Sequence, residues 1–275
     1  MCLHRIAAEK MRILRKRSEK MGKLNYDELP ILPCLEDNLA RIKEISGGSS
    51  DVLVNEFTAG GVRCALLSCD GMVSTSVLTE LVFEPLMNIP PMEDSSALIE
   101  HIQKYLLLST DRPEAQDYGT FFRLLNSGVA ILIAQGVDRA LAFGAQGYES
   151  RGIQEPSGEG NLMGAHEGFS EVIRTNMSQI RRRLKTPELV MELFIKGDKS
   201  ETNLCLCYMK DRVPKRLMQD IRRSLGQIKL ESILSTGYIR PFVESRRFEL
   251  FSSTGTTERP DVLCSKLIEG RVALL

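Results

Sequence analysis

The sequence has no tryptophan, three histidines and an aromatic content of 6% in 275 residues. Its cores must therefore be aliphatic, and a zinc site would find few imidazole ligands beyond His4, His101 and His166. No run of about 18 apolar residues occurs, so no segment reads as a membrane-spanning helix. The start, MCLHRIAAEKMRILRKRSEK, is basic and lacks the continuous apolar stretch of a secretory signal. With no export signal and an odd count of seven cysteines, reduced thiols in a cytosolic compartment are expected.

What is present suits a soluble globular protein. The hydrophobic share is 43%, the charged share 26%, and the length suits about two domains. The net charge of zero hides an asymmetry. Residues 1–23 hold eight Lys/Arg against two Glu, residues 24–150 seven against eighteen acids, and residues 151–275 twenty-one against sixteen. Charge thus changes sign at RGIQEPSGEGNLMGAHEGF, residues 151–169, which supports a boundary there. The expected organisation is a basic, disordered tail over 1–30, a first α/β subdomain over 31–150 and a second over 151–275.

Along the chain, LEDNLARIKEISG carries apolar residues at helical spacing and ends in Gly47–Gly48. DVLVNEFTAG and VRCALLSCDG read as a hairpin, and STSVLTELVFEPLM as a helix stopped by Pro85. SALIEHIQKYLL and DYGTFFRLLNSG are further helices. GVAILIAQG and RALAFGAQG form a hairpin, and the apolar run Val129–Ile133 implies a strand buried on both faces. The second half restates this order. A helix is expected over 167–185, then the hairpin ELVMELFIKG/TNLCLCYMK, the helix PKRLMQDIRRSL, a short helix within ESILSTGYIRPFV, and CSKLIEGRVALL. VLVNEFTAGGVRCALLSCDG parallels LVMELFIKGDKSETNLCLCYMK, and LLNSGVAILI parallels LIEGRVALL. Two related α/β subdomains with small mixed sheets flanked by helices follow. Val272–Leu275 has no counterpart of the RALAFGA strand, so the natural chain is expected to continue beyond Leu275.

The chemical candidates are thin. Gly158, Gly160 and Gly164 give G-x-G-x-x-x-G, one residue too long for a dinucleotide fingerprint, and no Lys-Ser/Thr follows for a P-loop. A flexible connector is the simpler reading. In the helix after it, Phe169, Val172, Ile173, Met177, Ile180 and Leu184 share a face. Glu167 and Glu171 fall in its expected first turns, and Arg181, Arg182, Arg183 and Lys185 in its last, which suits the helix dipole. That stabilisation explains the arginines more simply than an anion or an acidic neighbour does. Cys64/Cys69 and Cys205/Cys207 lack C-x-x-C spacing and read as buried hydrophobes, the latter pair on one strand face. His166 beside Glu167 is a conceivable base with no nucleophile motif near it.

The run RGIQEPSGEGNLMGAHEGFSEVIRTNMSQIRRRLKTPEL resembles the A-subunit family of bacterial spore germination receptors. The matching positions are Arg151, Glu155, Pro156, Gly164, Glu167, Gly168, Phe169, Glu171, Asn176, Arg181, Arg183 and Lys185. GYIRPFVE, TERPDVLCSKLIEGRVALL and LEDNLARIKEISGGSSDVLVNEF also resemble the family, so the resemblance covers about residues 35–275. The chain departs from the family at Met163, Ala165 and His166, where relatives carry Arg, Pro and Arg.

The resemblance implies the N-terminal region of a receptor subunit, on the cytoplasmic (spore core) side of the inner spore membrane, followed by a membrane domain. It implies a membrane B subunit, a lipoprotein C subunit, further copies of the A subunit and a nutrient ligand as partners, within a nutrient-gated ion channel. From the residues themselves, no cofactor, metal, catalytic residue or nucleic-acid partner is expected. Three roles remain open from the residues: a signalling or assembly module, a nutrient-binding module with ligand between the subdomains, and an enzyme using His166 and Glu167.

Overall fold

Two apolar-rich runs flank Gly60–Gly61, whose φ angles of 56° and 84° make the tight turn of the first hairpin. Strands β1 (Val52–Ala59) and β2 (Val62–Cys69) pair antiparallel from Val52↔Cys69 to Ala59↔Val62. In this computed structural model residues 28–106, 113–147, 167–244 and 254–275 are described. The expected tail over 1–30 therefore lies almost wholly outside the described residues. Helix α1 (Leu35–Ser46) precedes the hairpin. After it, α2 (Thr75–Leu78) runs through a π turn (Thr79–Phe83) into α3 (Glu84–Met87). Then come α4 (Ser95–Tyr105), β3 (Glu114–Ala115), α5 (Tyr118–Leu125), β4 (Ala130–Ala134) and β5 (Ala140–Phe143). The five strands form one sheet in the order β1-β2-β4-β5-β3.

The second half contains α6 (Ile173–Arg183), β6 (Leu189–Lys196), β7 (Thr202–Met209), α7 (Lys215–Gly226), a 3₁₀ turn (Thr236–Tyr238), α8 (Arg240–Val243), α9 (Pro260–Ile268) and β8 (Val272–Leu274). Its sheet runs β6-β7-β8. The α/β class and the two helix-flanked sheets agree with the sequence reading. The pairings between named strands are antiparallel throughout rather than mixed, three of the six being hairpins.

Each sheet is covered on both faces. In the first, Ala65, Leu67, Ile131 and Ile133 face α1 and α5, while Cys64, Leu66, Ala130 and Leu132 face α2–α4. All five residues of β4 are buried, as its unbroken apolar run predicts. In the second, Met191, Cys205 and Cys207 face α6 and α9, while Val190, Leu204, Leu206 and Tyr208 face the α7 layer. β8 pairs with β7 as β4 pairs with β2, and among the described residues no strand takes its other edge.

The repeat is finer than the sequence alignment suggests. Asn38 in α1 accepts from Leu32 N–H (2.9 Å) and donates to Leu32 C=O (2.6 Å). Asn176, also the fourth residue of its helix, does the same to Ser170, at 2.8 and 2.6 Å. At the ends of α5 and α9, Gly128 and Gly270 take φ of 83° and 88°. Each donates to the carbonyl three residues back, and the next residue to the carbonyl five back, which closes the helix by a Schellman turn. A Cβ at Gly128 would lie 2.9 Å from Met72 O and at Gly270 3.1 Å from Arg212 O, both in the turn after the second hairpin strand.

Two helices differ from expectation. The helix expected to stop at Pro85 continues to Met87, because the π turn shifts the hydrogen-bond register and Pro85 then sits in the first turn of α3, where no N–H is required. The helix expected over 167–185 covers only Ile173–Arg183. Asn176 engages the backbone of Ser170, so the chain before Ile173 stays extended and Val172 is exposed rather than buried. Asn38→Ala leaves both backbone groups of Leu32 and the Tyr118 hydroxyl, which donates to Asn38 at 2.6 Å, without their partner. Urea unfolding should report a loss of about 1–3 kcal/mol; a change within about 0.5 kcal/mol, the range of ordinary surface substitutions, would contradict this role.

A buried clamp between the two halves

Helix α6 has two working faces. Met177, Ile180 and Leu184 turn into the second core. Arg174, Ser178 and Arg181, at i, i+4 and i+7, turn toward the first half. Arg174 pairs with Asp70, Ser178 lies against Gly71, and Arg181 reaches Asp51. At Gly71 (φ +70°) a Cβ would meet Arg174 O and Ser178 Cβ, each at 3.1 Å, so the absent side chain lets the helix approach.

Arg181 and Asp51 are 2% and 1% exposed, which puts a full ion pair beyond the reach of bulk water. Such burial is tolerated only when nearly every donor and acceptor is matched. Arg181 Nε donates to Asp51 Oδ2 at 2.7 Å and Nη2 to Oδ1 at 3.0 Å, a bidentate fork. Nη1 donates to Thr186 O at 2.8 Å and Nη2 to Leu189 O at 3.0 Å, so the guanidinium also fixes the turn leading into β6. The Ser49 hydroxyl donates to Asp51 Oδ1 and accepts from Met191 N–H at 2.9 Å. Burial opposes the guanidinium charge, but the Asp51 carboxylate overrides it and raises the Arg181 pKa above its ordinary value.

Backbone contacts extend the clamp. Ser50 N–H donates to Met191 O at 2.8 Å, and Leu193 N–H donates to Ser50 Oγ at 3.3 Å. The segment before β1 thus covers part of the outer edge of β6. On the other side Lys210 Nζ donates to Ile45 O near the α1 C-terminus, where the helix dipole favours a cation. Burial pulls the Lys210 ammonium below the ordinary lysine range.

Family-motif positions gather around α6. Glu167 accepts from Arg183 at 2.5 Å and from Arg182 at 3.5 Å, so it sits at the helix C-terminal end, not in its first turn. Gly168 O accepts from Gln179 Nε2 at 3.1 Å, and Phe169 N–H donates to Glu258 O at 2.9 Å. Asn176 holds Ser170 as described above. Glu171 and Lys185 are exposed. Arg151, Glu155, Pro156 and Gly164 lie outside the described residues, as do Gly158, Gly160, Met163, Ala165 and His166.

Helix-end stabilisation is therefore not what Arg181 does, since it engages Asp51, whereas Arg183 does both, donating to Gln179 O at 2.9 Å in the last turn and to Glu167. Sequence reasoning missed Asp51, Ser49 and Gln179. The available signal was the place of Arg181 four residues after Met177, at the margin of the apolar stripe, which carries it inward. Cys64, Cys69, Cys205, Cys207 and Cys264 pack into the cores. Cys64 and Cys69 face opposite sides of their sheet, whereas Cys205 and Cys207 share a face with sulfurs 3.6 Å apart. Burial pushes the Cys69 thiol up to about 12. Two cavities of about 250 and 440 Å³ lie in the first half, along α4, and both touch Gln103.

Comparison with known proteins gives one consistent result. The profile of the Bacillus/Clostridium GerA spore germination protein family matches residues 40–275. Spore germination protein KA of Bacillus subtilis (strain 168) is 34% identical over 253 residues, 90% of this chain and 46% of that protein. The uncharacterized membrane protein YfkQ of the same strain is 30% identical over 247 residues, 89% of this chain and 48% of that protein. The chain thus spans about half the length of these relatives. The crystal structure of the N-terminal domain of the A subunit of the Bacillus megaterium spore germinant receptor GerK3 matches with a TM-score of 0.65 at 27% identity, covering 90% of this chain and 92% of that one. Among the described residues no helix is long and apolar enough to cross a membrane.

Arg181→Met leaves Asp51 buried and unpaired, and should cost about 3–5 kcal/mol in chemical denaturation. The Asp51→Leu/Arg181→Met double variant should recover most of that loss. Equal and additive costs for the two single changes would show that the pair is not coupled. Gly71→Val should destabilise by about 1–3 kcal/mol through overpacking against α6.

Proposed function

The chain belongs to the Bacillus/Clostridium GerA spore germination family, and on that premise we propose that it is the N-terminal region of the A subunit of a nutrient-responsive germinant receptor. The proposed setting is the inner spore membrane, with this region on the spore-core side and a membrane domain following it. Its proposed partners are further A subunits, a membrane B subunit and a lipoprotein C subunit of a nutrient-gated channel. Its role is assembly and signalling, without catalysis. Two subdomains, 31–150 and 151–275, act as a coupled pair, and the motif residues of α6 serve that coupling.

The observation that carries this reading is the Arg181–Asp51 pair. It joins the helix that follows the family signature to the strand opening the other half. A displacement of either half must move α6 or break a buried charge pair, so the two halves communicate through a discrete element with a high cost of rupture. A nutrient held between the halves is the second role, decided by calorimetry of the chain with amino acids, sugars and nucleosides.

In spores carrying the whole receptor, Arg181→Met at normal receptor abundance should slow nutrient-triggered germination about tenfold or more, the scale of a coupling free energy of 1–3 kcal/mol. Germination at the wild-type rate would remove α6 from the signalling path. Substituting Gly158, Gly160 and Gly164 together by alanine tests whether the connecting segment must also bend; normal germination of that variant excludes a hinge there.

A further inference from the structure

The layer covering the second sheet on its α7 side is unlike its counterpart. In the first half the equivalent layer, residues 75–87, carries Glu80 and Glu84 and no Lys or Arg. In the second half, α7 and the segment after it turn Met218, Leu225, Ile228, Ile233 and Ile239 into the core. The same stretch leaves Lys215, Arg216 and Lys229 exposed, and none of the three takes part in an ion pair among the described residues. The acids close in sequence are already engaged: Asp220 with Arg223 at 3.3 Å and Glu231 with Lys199 at 2.6 Å. The surface is therefore a net cation, and the repeat does not require it.

Apolar side chains are exposed along the same stretch. Leu234 is 77% exposed, Tyr238 48% and Leu217 40%. Leu234 lies between buried Ile233 and Ser235-Thr236-Gly237, so it projects from a small-residue turn rather than filling a gap in the core. A cationic face with a protruding leucine and a tyrosine fits an interface that is anionic at its surface and apolar just beneath. Lysine and arginine are drawn to acidic headgroups, and leucine and tyrosine gain from entering the boundary below them.

We propose that the α7 layer, through Lys215, Arg216, Lys229, Leu217, Leu234 and Tyr238, docks this chain on an anionic lipid bilayer. The idea rests on the membrane setting given under Proposed function, but the assay below uses no germination readout and so fails or succeeds independently of it. Docking by this face sets the orientation of the clamp relative to the membrane.

The test is co-sedimentation of the purified chain with phosphatidylcholine vesicles, with and without phosphatidylglycerol. Binding is expected only with phosphatidylglycerol, and it should fade as salt is raised. Lys215→Gln/Arg216→Gln/Lys229→Gln should weaken partition on the order of a hundredfold. Leu234→Ser should weaken it at unchanged charge, and circular dichroism should be unaltered because the substituted residues are exposed. A variant neutralised in the basic tail, Arg15→Gln/Lys16→Gln/Arg17→Gln, should still bind. Absence of binding, undiminished binding by the triple variant, or loss in the tail variant alone would overturn the proposal. So would capture of an acidic protein partner by this face without any affinity for vesicles.

Discussion

A full charge pair with almost no access to water is the constraint around which the two halves are arranged. Arg181 and Asp51 come from opposite halves of the chain, and neither is supportable alone. Desolvation imposes geometry: the fork must be bidentate, and remaining donors must find the Thr186 and Leu189 carbonyls. Those requirements fix α6, the turn into β6 and the entry to β1 together. A hydrophobic contact would hold the halves with wider tolerance, since apolar surfaces can slide without leaving a group unsatisfied.

The internal repeat shows what is common scaffold and what is particular. Asn38 and Asn176 tie equivalent helices to equivalent backbone, and Gly128 and Gly270 close equivalent helices against equivalent turns. Arg181 has no such twin. Counting from the two asparagines, its counterpart in α1 is Lys43, which is exposed. The surface of the α7 layer is likewise basic where its counterpart is acidic. The scaffold is duplicated, and the charges that connect and orient it belong to one copy.

Much of the fold was legible in the sequence because it depends on local pattern. Short apolar runs on either side of turn residues marked the hairpins, and the unbroken run at Val129–Ile133 marked β4 as buried on both faces. The parallel between LLNSGVAILI and LIEGRVALL anticipated matching helix–glycine–strand units. Helix limits were less legible. A single carboxamide, Asn176, holds the chain extended before Ile173, and a π turn carries a helix past Pro85; neither leaves a periodic trace. The candidate site was legible in part. The family signature led to α6 and its arginines, but which arginine is buried depends on a partner 130 residues away. Asp51 sits in SSDVLV, an ordinary strand entry, and nothing local distinguishes it from a solvated acid.

The central claim is that the two halves hold together as one cooperative unit through that pair. It is tested most directly by urea unfolding of the wild-type chain and of Arg181→Met, followed by hydrogen exchange in β4 of the first half and β7 of the second. The account predicts coincident transitions for the two strands in the wild type and separate transitions, with the midpoint of at least one lowered, in the variant. Separate transitions already in the wild type, or coincident ones persisting after Arg181 is removed, would contradict it.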